Sequence, residues 1–177
     1  TIGSAFSDVI SKSNMTLSSV ELLNEESVPK DAAAIIINAP QKDFNKNDAQ
    51  KVIDYLQKGG KAIIVGMHSE TEMPNFASIL DTYGVSLTTG PIADNDAQHY
   101  YNMGGPLYLL PNVNSSSYTG SLSGGYVYLP ISLGINYPQN STTDDTESTE
   151  ESKTTYTSLL DTSDDCLLYT SPSPRDA

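Results

Sequence analysis

The chain has 177 residues and a formal net charge of −13. This length is enough for one domain with a hydrophobic core and is short for two. A strongly acidic surface repels phosphates and anionic lipid headgroups, which argues against nucleic-acid binding and peripheral membrane docking. The densest apolar run, residues 32–39, falls short of the roughly 20 residues that a membrane-spanning helix needs.

The first elements alternate between helical and strand patterns. Apolar residues at helical spacing predict an amphipathic N-terminal helix, with Ile2, Ala5, Phe6, Val9 and Ile10 on one face. Residues 17–22 then indicate a short extended segment. The β-branched run at 32–38 ends at Ala39-Pro40 and predicts a strand that is buried on both faces of a parallel sheet.

A β-α-β unit is predicted over residues 32–66. Asn45 or Asn47 can cap a helix whose left-handed exit is supplied by Gly59-Gly60, and residues 62–66 read as the second buried strand. Pro74 fits the first turn of a third helix, which Gly84 ends before a strand at 85–87.

The second half of the chain gives weaker signals. Residues 90–105 look irregular, strands are predicted at 106–110, 126–129 and 156–160, and the polar segment 138–155 predicts a disordered, acidic excursion. Together the elements predict a single α/β domain over residues 1–165. We expect a three-layer, mostly parallel sheet with helices on both faces, similar to flavodoxin and to class I amidotransferases.

Several segments resemble the extracytoplasmic auxiliary domain of gliding-motility-type ABC transporters. They are residues 27–32 (SVPKDA), 36–40 (IINAP), 55–61 (YLQKGGK), 109–112 (LLPN) and 156–164 (YTSLLDTSD). The family places a strand with a Gly-His-Gly-Glu-like turn before the first helix, and that element is missing here, so we expect the sequence to be truncated at both ends.

The resemblance implies a non-catalytic accessory domain on the outer side of the cell membrane. Such a domain is anchored by transmembrane helices outside this sequence and works with ABC permease and ATPase subunits. A small molecule or glycan is the ligand class we expect for it, with no nucleic acid and no cofactor. A free-standing surface-binding protein is an alternative interpretation.

The C-terminal segment has a separate resemblance. Residues 166–176 (CLLYTSPSPRD) match, codon by codon, a translated transposase-type sequencing adapter, and they contain the single Cys and the single Arg of the chain. We therefore predict that residues 166–177 are a non-native tail, and that deleting them leaves the melting temperature unaltered.

An amidotransferase-like or hydrolase-like enzyme is the main alternative function. In that fold a nucleophile sits on the turn after a central strand, which here is residues 66–70. Met67 cannot act as a nucleophile, and Ser69 beside His68 needs hydrogen-bond reach that adjacent residues rarely have. We therefore expect no catalytic residues.

Ligands of open α/β sheets bind outside the carboxyl ends of the strands, which predicts a pocket formed by Asn38, Ala39, Met67, His68 and Asn112. The two histidines, His68 and His99, lack the spaced partners of a metal site, so no metal is predicted. The Asp94-Asn95-Asp96 cluster is better explained by turn capping than by Ca²⁺ binding.

Tyrosines are concentrated in the second half of the chain, at positions 100, 101, 108, 118, 126, 128 and 137. Such side chains suit a recognition surface or carbohydrate stacking, because each ring has an apolar body and a polar hydroxyl. On alternating strand positions, however, tyrosines more often pack at the edge of a core, and that is the interpretation the sequence favours.

Overall fold

The computed structural model describes residues 3–122, 125–138 and 154–169. The chain divides into two compact units, Thr1–Thr82 and Tyr83–Ala177. The prediction of one domain over residues 1–165 stays a prediction, since this division does not show whether either unit folds alone. Apart from its two ends, the polar excursion predicted at 138–155 lies outside the described residues.

The first unit contains three helices and two strands. Their order is α1 (Ser4–Lys12), β1 (Ile35–Asn38), α2 (Lys46–Gln57), β2 (Ala62–Val65) and α3 (Pro74–Asp81). A short 3₁₀-helix at Leu22–Asn24 lies near the predicted extended segment at 17–22, which forms no strand. The three predicted helices and the two strands of the β-α-β unit are confirmed.

Helix α2 begins and ends as its sequence predicts. The side chain of Asn45 accepts a hydrogen bond from the Asp48 amide at 2.8 Å, which satisfies one free amide at the start of the helix, and it donates one to the Asp48 carboxylate at 2.6 Å. Gly59 has a φ of +88° and leads the chain out of the helix. The buried face consists of Ala49, Val52 and Leu56.

Strands β1 and β2 pair in parallel, with Ile35 opposite Ala62 and Asn38 opposite Val65. One face is partly or fully buried. On the other face Ile63 and Val65 are 47% and 44% exposed, so the prediction that both faces are buried is wrong for β2.

The second unit is built from short antiparallel pairs. Its strands are β3 (Ser86–Asp94), β4 (Tyr108–Leu109), β5 (Asn112–Val113), β6 (Leu129–Pro130), β7 (Leu133–Asn136), β8 (Leu160–Asp161) and β9 (Cys166–Leu168). They form one three-stranded sheet in the order β7-β3-β9 and two two-stranded sheets, β4-β6 and β5-β8. A second 3₁₀-helix lies at Gly120–Leu122.

The predicted three-layer, mostly parallel, flavodoxin-like fold is therefore wrong. Within the described residues the only parallel pair is β1-β2, and every pair after Tyr83 is antiparallel. A parallel pair requires a long crossover, usually a helix, and the described part of the second unit has no α-helix to supply one. The short strands of this unit pair antiparallel with partners that are distant along the chain, as in β3-β9 and β5-β8.

Strand β3 runs through a segment that was predicted to be irregular. Gly90 and Pro91 are residues that favour turns, and β3 accommodates them by a shift in its register with β7 between Leu87 and Pro91. Gly90 is buried, and a β-carbon at this position would lie 2.7 Å from the backbone oxygen of Tyr169. The close approach of the chain after β9 therefore requires glycine here.

Candidate functional site

Four of the five predicted pocket residues lie at the carboxyl ends of the parallel strands. Asn38 ends β1, and the Ala39 amide donates to the Val65 carbonyl at 2.9 Å. Met67 and His68 follow β2 and are exposed. Ala39 has a φ of +45°, a conformation that is uncommon for residues other than glycine. The pocket that these residues were predicted to form stays a prediction.

The fifth predicted pocket residue, Asn112, belongs to the second unit and has a different environment. Its side-chain oxygen lies 3.2 Å from Nε2 of His99, and Nδ1 of the same ring lies 3.1 Å from the Asp96 carboxylate. The contact with Asp96 is an ion pair when His99 is protonated, and Nδ1 has no aligned hydrogen-bond partner among the described residues.

The environment of His99 favours its protonated form. Burial by itself lowers the pKa of His99, but the hydrogen bond to Asn112 and the negative charge of Asp96 outweigh it, and the pKa lies above the ordinary value of 6.5. In the same cluster the pKa of Asp96 is lowered, chiefly by the backbone hydrogen bond from Gln98 and further by His99, which together outweigh the opposite effect of burial.

The aspartates before His99 cap turns, as the sequence predicts. The Asp96 amide donates to the Asp94 carboxylate at 3.0 Å, and the Gln98 amide donates to the Asp96 carboxylate at 2.9 Å. Within residues 3–122, 125–138 and 154–169, no group of three or more His, Cys, Asp or Glu side chains is placed to hold a metal ion.

The Ser69 hydroxyl is engaged in a local turn. It donates to the Thr71 carbonyl at 2.9 Å and accepts from the Thr71 amide at 3.1 Å. A serine nucleophile must instead share its hydroxyl proton with a base. In this turn the hydroxyl proton of Ser69 is directed at the Thr71 carbonyl.

A cavity of about 430 Å³ lies in the first unit around the end of α2. Its lining contains four positively charged lysines and two negatively charged side chains, Glu26 and Asp54. Lys51 is already bound to Asp48 at 3.0 Å and to the Leu22 carbonyl at 2.7 Å. The carboxyl end of a helix also carries partial negative charge, so this cavity is a poor anion site. The other three lining lysines are Lys30, Lys58 and Lys61.

Three tyrosines form a cluster on the second unit, which we call the tyrosine platform: Tyr101, Tyr108 and Tyr128. The rings of Tyr108 and Tyr128 stack with centroids 6.1 Å apart, and the ring of Tyr101 meets Tyr128 edge-on at 6.0 Å and 83°. Tyr101 and Tyr128 remain 45% and 50% exposed. The rings thus support one another and still present aromatic surface to solvent.

The backbone beneath the platform holds the rings in place. Tyr101 donates its amide to the Tyr108 carbonyl at 2.8 Å, and its own carbonyl accepts the amides of Gly104 and Gly105. A β-carbon at Gly104 would lie 2.5 Å from the Tyr108 ring, so a larger residue here would displace that ring. Strands β4 and β6 pair antiparallel with Tyr108 opposite Pro130 and Leu109 opposite Leu129, so Tyr128 lies immediately before the paired residues of β6.

The sequence identified the tyrosines but not their grouping. Spacing along the chain does not reveal that positions 101, 108 and 128 meet, because the β4-β6 pairing that joins them is very short.

Comparisons with models of protein families, with curated proteins and with solved structures gave no match for this chain. None of the helices in the described residues has the length and apolar character needed to cross a membrane.

Proposed function

We propose that this chain is a non-catalytic recognition domain and that the tyrosine platform is its binding surface. The observation that carries the proposal is the exposure of Tyr101 and Tyr128 although both rings pack against other rings. Rings that serve only a core are covered, whereas these keep about half of their surface in solvent. Aromatic surface held rigidly at this position favours binding, because little side-chain entropy is lost when a ligand docks.

The cellular context that we propose is the accessory subunit of a membrane-anchored ABC transporter, on the outer side of the membrane. Its support is the sequence resemblance of residues 27–32, 36–40 and 55–61. In this context the domain recognises a ligand or a partner for the permease and ATPase subunits. Affinity purification of the tagged protein from solubilised membranes of its native host tests this context: recovery of both subunits supports it, and their absence contradicts it.

The binding role is tested by a thermal-shift screen of the whole chain against saccharides, peptides and nucleotides. We expect at least one class of compound to raise the melting temperature, because a ligand that binds only the folded state stabilises it. The shift should vanish in the double variant Tyr101→Ala/Tyr128→Ala. It should persist in Tyr118→Ala, which removes a tyrosine that is 79% exposed and outside the platform.

A screen without any stabilising compound contradicts the binding role, and so does a shift that the double variant retains. The unliganded melting temperature of each variant serves as the folding control. Circular dichroism then separates loss of the surface from loss of the fold.

A further inference from the structure

We infer that the tyrosine platform binds a neutral saccharide chain, an inference that rests on the proposed recognition function and names its ligand class. The platform lies in a part of the sequence that is free of ionised carboxylates, lysines and arginines. From residue 100 to residue 143 the chain contains no Asp, Glu, Lys or Arg, although its formal net charge is −13. The acidic character of the protein is thus placed elsewhere along the chain.

A charged ligand gains little from such a segment. Binding an anion or a cation tightly requires a partner of opposite charge, because desolvation of the ligand charge is otherwise uncompensated. The nearest preceding ionisable side chains, Asp96 and His99, face each other at 3.1 Å, and residues 100–143 offer aromatic rings, hydroxyls and amides. These groups match a ligand that combines apolar C–H faces with hydroxyl groups and has no net charge, which is the chemistry of a neutral sugar.

The composition around the platform is that of a recognition surface. Tyr, Ser, Gly and Asn dominate residues 100–137, the same four residue types that antibody binding loops favour. Tyrosine supplies rigid contact area, and serine and asparagine supply adaptable hydrogen bonds. Hydroxyl-rich ligands need both kinds of contact.

The arrangement of the rings favours a chain of sugars over a single one. The rings of Tyr101 and Tyr128 lie at 83° to each other and both residues are about half exposed, so a sugar meets aromatic surface in two orientations. Tyr126, two residues before Tyr128, is 90% exposed and offers a further ring. Partly exposed rings in different orientations suit a ligand of several linked sugar units.

The experiment is isothermal titration calorimetry of the whole chain with five probes. Three are neutral (cellohexaose, maltohexaose and chitohexaose), one is anionic (hexagalacturonate), and one is cationic (hexalysine). We expect at least one neutral probe to bind. The substitution Tyr128→Ala should weaken that binding about tenfold or more, which corresponds to the loss of a stacking contact. Tyr128→Phe, which keeps the ring, should bind nearly as well as the unaltered chain.

A second pair of variants changes a glycine beside the platform and a control glycine elsewhere. Gly104→Ala places a methyl group against the Tyr108 ring and should weaken the same binding, whereas Gly120→Ala, whose added β-carbon meets nothing within 4 Å, should not. If Tyr128→Ala fails to fold, binding by Gly104→Ala and Tyr101→Ala is measured in its place.

Three results overturn the inference. One is the absence of binding by all three neutral probes, and another is neutral binding that Tyr128→Ala and Gly104→Ala leave intact. The third is hexalysine or hexagalacturonate binding that Tyr128→Ala abolishes while the neutral probes stay inactive. That third result refutes the saccharide and leaves the proposed recognition role standing.

Discussion

Ser163 donates two hydrogen bonds to the buried carboxylate of Asp94, one from its amide at 2.8 Å and one from its hydroxyl. Asp94 ends β3, is 0% exposed, and also accepts the Asp96 amide. One side chain therefore ties the end of the central strand to a segment far along the chain, just before β9. A buried carboxylate with three donors is a structural tie whose removal leaves those donors without partners.

We expect Asp94→Ala to lower the free energy of unfolding by about 3 kcal/mol. The substitution removes the hydrogen bonds and also leaves their donor groups without an acceptor. Ser163→Ala removes only the hydroxyl and should cost about 1 kcal/mol. Urea unfolding measures both. The control is Asp164→Ala, at an exposed position beside Ser163, and an equal loss in Asp94→Ala and Asp164→Ala would refute the assignment.

Asp43 caps helix α3 from a distant point in the sequence. Its carboxylate accepts the amides of Asn75 and Phe76 at 3.1 and 2.8 Å and the Asn75 side chain at 2.8 Å. Burial raises the pKa of Asp43, but these hydrogen bonds outweigh it, and the pKa lies below the ordinary value of 3.8.

The free energy of unfolding should therefore depend on pH in the acid range, because Asp43 is protonated there. A depressed folded-state pKa gives stability that is present above the ordinary value of 3.8 and is lost as the pH falls through the folded value. We expect Asp43→Ala to cost about 1 kcal/mol at neutral pH, as for other lost caps. Acid unfolding curves of the two proteins should converge below pH 3.8, and a constant difference would contradict the cap.

His99 gives a pH dependence of the opposite sign. Its pKa is raised in the folded chain, so its contribution to stability is fully present below the ordinary value of 6.5 and is lost as the pH rises through the folded value. We expect Asn112→Ala to lower the pKa of His99, since it removes the hydrogen-bond acceptor at Nε2. An NMR titration of the His99 ring measures this, and an unaltered or higher pKa in the variant would show that Asn112 has no such effect.

The C-terminal segment gives two expectations that disagree. Its resemblance to a translated adapter predicts that deleting residues 166–177 changes nothing. The structure pairs Cys166 with Asp94 and Leu168 with Ile92, and the Tyr169 amide donates to the Pro91 carbonyl at 2.8 Å. From these contacts we expect the deletion to lower the melting temperature by roughly 5 °C, which corresponds to about 1 kcal/mol in a unit of this size. An unaltered melting temperature would favour the adapter interpretation.

The elements of the first unit could be predicted because their signals are local. The cap at Asn45, the left-handed exit at Gly59 and the Pro74 start of α3 depend only on neighbouring residues, and each is where the sequence places it. The parallel pairing of β1 and β2 follows from the single helix between them. The exposure of one face of β2 could not be predicted, because burial depends on which elements cover the sheet.

The second unit could not be predicted to the same degree, because its contacts join distant residues. The tie between Asp94 and Ser163 spans 69 positions, and no pattern in either neighbourhood indicates it. The tyrosine platform depends on the short β4-β6 pair, whose few residues carry no period that separates a strand from a turn. The tyrosines were visible in the sequence, and only the fold assembles three of them into one surface.

We propose that the tyrosine platform binds its ligand without changing it chemically. NMR observation of the tyrosine, methionine and histidine side chains, during titration with the neutral oligosaccharide that binds most tightly, tests this proposal. We expect shifts at Tyr101 and Tyr128, none at Tyr118, and an oligosaccharide that is recovered intact. Shifts confined to Met67 and His68 at the end of β2, or cleavage of the oligosaccharide, would contradict it.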